Sequence, residues 1–196
     1  MAVALVFTER RPDLSEARAR NFERLRGRLA AAGAAVEESF YEEVDPALLA
    51  RAEAIVLSGS SAPWSARDPE RIAGLGDALR AAGRPVLGIC AGLQLQVMFA
   101  GGAVAVAAEP EHGYLPIRVH DAGDLLRGLP SEPVVYHDHD DEVTELPDGF
   151  RVLASSAACA VQAVADPARR WWGTQFHPEE SPDGGRILET FLELAR

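Results

Sequence analysis

Apolar residues cluster in short unbroken runs over the first half of the chain and alternate with polar ones over much of the second half. Val3 to Phe7 and Ala54 to Leu57 read as buried strands, and Val36 to Tyr41 as a further strand. Between the first two lies a helical pattern from Asp13 to Ala32. Leu14, Ala17, Leu25 and Leu29 mark its apolar face, Asp13 its cap and Gly33 its stop. Asp45-Pro46 and Asp68-Pro69 each open a helix in the cap-then-proline order, the second helix running to Gly83. Val86, Leu87 and Ile89 form a fourth apolar run, after which Leu93, Leu95, Val97 and Met98 switch to helical spacing. Alternating strands and helices predict parallel pairing through right-handed crossovers, hence an α/β open doubly wound, mostly parallel sheet. Ligands in such sheets bind beyond the carboxyl ends of the strands. The turn-rich loop Ser58 to Trp64 and residue Cys90 both fall there.

After Gly101-Gly102 the helical pattern fades. Tyr114 to His120, Val134 to His139, Phe150 to Ala154, Cys159 to Val164 and Arg170 to Phe176 read as strands, adding antiparallel strands in the C-terminal half. A last helix from about Gly185 buries Ile187, Leu188, Phe191 and Leu194. At 196 residues, with no internal repeat or linker, the chain is expected to be a single domain, residues 1–196. Hydrophobic content of 47% with 25% charged residues fits a globular protein. The net charge of -11 argues against nucleic acid or an anionic membrane as partner. No apolar run nears the roughly 18 residues of a membrane span and no basic leader opens the chain, so a cytoplasmic location is expected.

Two positions carry candidate chemistry. Gly88 and Gly92 flank Cys90 at minus two and plus two, the spacing of a nucleophile elbow, where a reactive side chain stands on a strand-to-helix turn. The opening of a helix favours thiolate over thiol and can hold an oxyanion. Cys159, in an apolar run, reads as a core residue, and a disulfide between the two is not expected. The second position is His177-Pro178-Glu179, ending an apolar strand. In extended backbone, residues i and i+2 face the same way, so Glu179 can orient the ring of His177 as a nucleophile's base requires.

Gly88-Ile89-Cys90-Ala91-Gly92-Leu93-Gln94 and Gly173-Thr174-Gln175-Phe176-His177-Pro178-Glu179 together resemble the two signatures of the class I glutamine amidotransferases, over nearly the whole chain. The resemblance implies a flavodoxin-like α/β fold with Cys90 as nucleophile, His177 as general base and acid, and Glu179 as orienter. It further implies that Gly59, Ser60 and Ala91 frame an oxyanion hole and that Gln94 helps to bind substrate. The substrate implied is L-glutamine, with no cofactor, and ammonia would pass to a separate synthetase. Within the family, Glu111-His112-Gly113-Tyr114 and His139-Asp140-Asp141-Glu142-Val143 are similar to the glutaminase part of GMP synthetase, which implies a partner-facing loop at His139 and Asp141. Asp138 and Asp140 depart from that pattern, as does Ser60, which stands where the family usually has glycine. A positive φ at Ser60 would cost on the order of 1 kcal/mol and suggests a loop that a partner presses into shape. Two alternatives share the fold: a stand-alone hydrolase of γ-glutamyl conjugates and a catalytically silent binding or regulatory module.

His137-x-His139-x-Asp141 resembles half of a dinuclear metallo-hydrolase signature, but Glu142 occupies the place of its next histidine. The stretch therefore reads as an exposed acidic loop, with no metal expected. Trp171-Trp172 reads as one ring in the core and one at the surface.

Overall fold

The structure is a computed structural model and describes residues 1–123 and 125–196. An eight-stranded sheet runs in the order β2 (Ala35–Phe40), β1 (Ala2–Phe7), β3 (Ala54–Leu57), β4 (Val86–Ile89), β10 (Trp171–Thr174), β9 (Ala163–Asp166), β8 (Arg151–Ser155), β6 (Arg118–Val119). The pairings from β2 to β10 are parallel and those from β10 to β6 antiparallel. β5 (Ala103–Pro116) and β7 (Val134–Glu145) form a separate antiparallel pair.

The unbroken apolar runs follow from burial of both faces of the parallel strands. Val3, Leu5, Phe7, Val56, Leu87 and Ile89 pack against α1 (Glu16–Ala31) and α5 (Gly184–Leu194) through Phe22, Leu25, Leu29, Ile187 and Phe191. Ala4, Val6, Ile55, Leu57 and Val86 point the other way, onto α2 (Pro46–Arg51) and α3 (Pro69–Ala82) through Leu48, Leu49, Leu75 and Leu79. Trp171 belongs to the second cluster and Trp172 to the first, so both rings are buried on opposite faces of β10 and neither is at the surface. Each such large side chain contributes about 2 kcal/mol of burial. No helix among the described residues is long and apolar enough to cross a membrane.

Several boundaries differ from expectation. Arg11–Asp13 is a 3-10 turn, and Ser15, not Asp13, caps α1, accepting from the Arg18 N–H. The inward face of α1 is Arg18, Phe22, Leu25 and Leu29, while Ala17 is exposed, because helical phase ties position 18 to 22, 25 and 29. The first strand after Gly101-Gly102 begins at Ala103 rather than Tyr114, and β9 begins at Ala163. Cys159 sits before β9 in a turn where Ser156 N–H donates to its carbonyl and its own N–H donates to Ser156 Oγ. It is nonetheless buried, as expected of a core residue.

Candidate active site

β4 ends at Ile89 and α4 (Ala91–Phe99) starts at Ala91, leaving Cys90 alone at the turn with φ 50° and ψ -108°. That region is one L side chains rarely adopt, and such strain collects at functional sites. The turn is so tight that a Cβ on Gly88 would lie 2.5 Å from the Leu93 nitrogen, and one on Gly92 would lie 2.5 Å from the Leu57 carbonyl oxygen. The Cys90 N–H donates to the Thr174 carbonyl at 2.7 Å, stitching the elbow to β10. Ala91 N–H is among the first amides of α4, which have no partner within the helix. Gln175 Nε2 donates to the Cys90 sulfur at 3.6 Å.

His177 follows the end of β10, and its N–H donates to the Tyr136 carbonyl on β7 at 2.8 Å. Its Nδ1 is 2.8 Å from Glu179 Oε1, both side chains being buried. Burial alone would lower the proton affinity of His177, but Glu179 and the neighbouring Cys90 outweigh it and push the pKa up to about 10. Nε2 has no hydrogen bond of standard geometry, so the Cys90 sulfur acts on the ring through proximity. Gly59 lies against both: a Cβ there would lie 2.6 Å from His177 Cε1 and 3.5 Å from Cys90 Cβ. Cys90, His177, Glu179 and Gly59 are thus brought together from three strand ends. The set has the parts a thiol nucleophile requires: a sulfur, an imidazole beside it and a carboxylate on the far ring nitrogen.

The Ser58 to Trp64 loop is held from below. Thr8 Oγ1 donates to the Ser58 and Gly59 carbonyls, and Glu9 Oε1 accepts from both the N–H and the hydroxyl of Ser61. Burial works against ionisation of Glu9, but the Arg18 guanidinium at 2.9 Å and the Ser61 donors hold its pKa below the usual carboxylate value. Ser60 does not have positive φ, so the condition under which serine would be strained at that place is not met. Its hydroxyl accepts from the Ala62 N–H.

A cavity of about 310 Å³ opens at this point, with Cys90 and Ala91 on its floor and Ser60, Arg67, Gln94 and Asp141 on its walls. Gln94 Nε2 donates to the Asp141 carbonyl and to Gln175 Oε1, so it braces β7 against the loop after β10. Arg67 stacks over Trp64 at 3.9 Å, is buried, and has no partner for its Nε. Burial lowers its pKa, countered by Tyr41, Cys90, Glu9 and Asp141, and a guanidinium remains charged regardless.

The stretch 137–142 departs from the sequence reading. It is a strand, not an exposed loop, with His137 and His139 buried and Asp138 and Asp140 pointing outward, where His112 bridges them. His139 therefore does not face outward as a docking residue. Asp141 is only partly exposed and lines the cavity. Sequence reading also missed Arg18, Glu9 and Arg67, and it named Glu111 in a motif without foreseeing its burial. Helical phase with Phe22, Leu25 and Leu29 could have found Arg18, whereas Glu9, Arg67 and Glu111 carry no comparable periodic mark of burial.

Residues 18–194 match the family model described as glutamine amidotransferase class-I. The chain is a class I glutamine amidotransferase. This amidotransferase is 44% identical over 148 residues to a protein named GMP synthase (glutamine-hydrolyzing) from Thermus thermophilus, which covers 74% of this chain and 28% of that one. To the protein of the same name from Bacillus subtilis it is 44% identical over 110 residues, 55% of this chain and 21% of that one. The amidotransferase thus spans about a quarter of the length of these relatives. A crystal structure described as that of a candidate GMP synthase subunit from Thermoplasma acidophilum superposes with a TM-score of 0.85 at 29% identity, covering 98% of this chain and 94% of that one. The family and this superposition agree with the α/β sheet expected from the sequence.

Proposed function

We propose that residues 1–196 act as one glutaminase unit that hydrolyses the side-chain amide of L-glutamine and supplies ammonia to a separate synthetase, of the GMP synthase type. The observation that carries this reading is Cys90 held at φ 50° beside the His177–Glu179 pair. The Cys90 thiolate attacks the amide carbon of glutamine, and the developing oxyanion is received by the amide of Ala91 and by the Gly59-Ser60 loop. The His177 imidazolium gives its Nε2 proton to the departing nitrogen, so the C–N bond breaks, ammonia leaves and a γ-glutamyl thioester remains. Water then attacks the thioester, His177 takes its proton, and glutamate leaves with the thiolate restored. Glu179 keeps the ring in place throughout. Arg67, a cation that lines the cavity, is placed to pair with the substrate's α-carboxylate. No organic cofactor enters these steps.

The test is labelling with a diazo-ketone glutamine analogue followed by peptide mass spectrometry, with steady-state ammonia release measured alone and with a candidate synthetase. Adduct on Cys90 and turnover on glutamine are expected. Adduct on Cys159, or on neither thiol, removes the nucleophile assignment. Preference for a γ-glutamyl amine over glutamine replaces this reading with the stand-alone conjugate hydrolase, and absence of any turnover with a folded protein favours the silent module.

A further inference from the structure

Beside the active-site cavity, which His139 also lines, β5 and β7 carry a buried cluster that the proposed glutaminase steps do not use. Glu111 sits on β5 directly opposite His139 on β7, with His137 two residues along the same face. His139 Nε2 is 3.3 Å and His137 Nδ1 is 3.8 Å from the same Glu111 oxygen, Oε2. One ligand atom from each of the three residues lies within 4.8 Å of the others. Zinc bonds of about 2.0–2.1 Å in a tetrahedron place neighbouring ligand atoms about 3.3 Å apart. One edge of the triangle already has that length, another is half an ångström longer, and a small rotation of His137 shortens it.

Among the described residues, all four ring nitrogens of His137 and His139 are buried without a hydrogen bond of standard geometry. Polar groups orphaned this way are rare, and each costs about 1–3 kcal/mol. The backbone of Leu115 approaches His137 and that of Asp141 approaches His139, the places from which a metal-bound imidazole's second nitrogen is normally held. Gln162 Nε2 donates to Glu111 Oε2 at 2.6 Å, which matches the outer support of a ligating carboxylate.

We propose that Glu111, His137 and His139 form a binding site for a divalent transition-metal ion, zinc first, with the fourth position left to water. Two imidazoles and one carboxylate suit a borderline cation and not calcium or magnesium, which prefer oxygen. The ion clips β5 to β7. Because β7 also supplies the carbonyl that holds the His177 N–H and the Asp138 carbonyl near the Cys90 sulfur, the clip fixes one wall of the active site.

Zinc also binds reactive thiols, so the experiment separates the two sites. The purified protein is stripped with chelator and titrated with zinc against a chromophoric competitor, in parallel with Cys90→Ser, His137→Leu and Glu111→Gln. Circular dichroism confirms that each is folded. One equivalent is expected in the parent and in Cys90→Ser. Affinity is expected to fall in His137→Leu and Glu111→Gln by at least the roughly 10–100-fold that losing an outer-shell partner causes. Cobalt in place of zinc should give visible d–d bands without a thiolate charge-transfer band. Zinc should also raise the unfolding temperature of Cys90→Ser by mass action. Loss of binding in Cys90→Ser with retention in His137→Leu, a thiolate band with cobalt, or no binding at all overturns the proposal. Should His137→Leu fail to fold, Glu111→Gln and the cobalt spectrum decide alone.

Discussion

The backbone of Cys90 offers a direct measurement of what the elbow costs. At φ 50° and ψ -108° any residue with a Cβ is strained, and conformations nearly reserved for glycine cost of order 1–3 kcal/mol. Cys90→Ala and Cys90→Gly both remove the sulfur, so their difference isolates the Cβ. At an ordinary buried site, glycine is less stable than alanine by about 0.5–1 kcal/mol of backbone entropy plus about 0.8 kcal/mol for the lost methyl, near 1.5 kcal/mol in all. Relief of about 2–3 kcal/mol of strain reverses the order and leaves Cys90→Gly the more stable by about 0.5–1.5 kcal/mol. For a chain of this size that is a rise in Tm of roughly 1–6 °C over Cys90→Ala. Cys159, buried without positive φ, is the internal control, and there Cys159→Gly should fall below Cys159→Ala by about 1.5 kcal/mol. Urea unfolding of the four variants followed by circular dichroism gives both differences. If Cys90→Gly proves less stable than Cys90→Ala by the same margin as at Cys159, the elbow stores no strain and the reasoning fails.

Gly59→Ala places a methyl 2.6 Å from His177 Cε1, so overpacking should destabilise by about 1–3 kcal/mol and slow iodoacetamide alkylation of Cys90, both read on the purified variant. His177 has a raised pKa, so its contribution to stability is complete below about pH 6.5 and is lost as pH rises toward 10. The alkaline limb of unfolding free energy should therefore slope downward by up to about 1.4 kcal/mol per pH unit, and Glu179→Gln should flatten it. Arg67→Met should raise KM for glutamine by about 10–200-fold, corresponding to a charge-assisted bond of 1.5–3 kcal/mol, with a smaller change in kcat. An unchanged KM removes Arg67 from substrate binding.

The parallel half of the fold is legible because its strands are buried on both faces and its helices carry local caps: Asp45, Asp68 and Gly83 all act as their sequence neighbourhood suggests. The elbow and the His177–Glu179 pair are legible for the same reason, since spacing of two residues decides both. β5 escapes because Ala103 to Pro116 is Ala-, Glu- and Pro-containing and mostly solvent-facing, so that no strong period marks it. The Glu9–Arg18 pair and the Glu111–His137–His139 cluster escape for a different reason. Their members lie 9 residues apart and on two paired strands, respectively, and only tertiary folding turns ordinary surface-type residues inward.

Ile89 stands opposite Thr174 in the parallel β4–β10 pairing, so the thiol and the imidazole stand at the tips of adjacent strands. The spacing of those two strand tips is a lattice constant of the sheet, about 4.8 Å between neighbouring strands, and does not depend on how the chain travels from one tip to the other. The intervening residues can lengthen, shorten or be severed at an exposed turn such as Pro147–Gly149 while the ladder keeps its pitch. A split version of the protein, expressed as two fragments broken at that turn, should regain its thiol reactivity only on mixing, making the reconstituted site a reporter of fragment association.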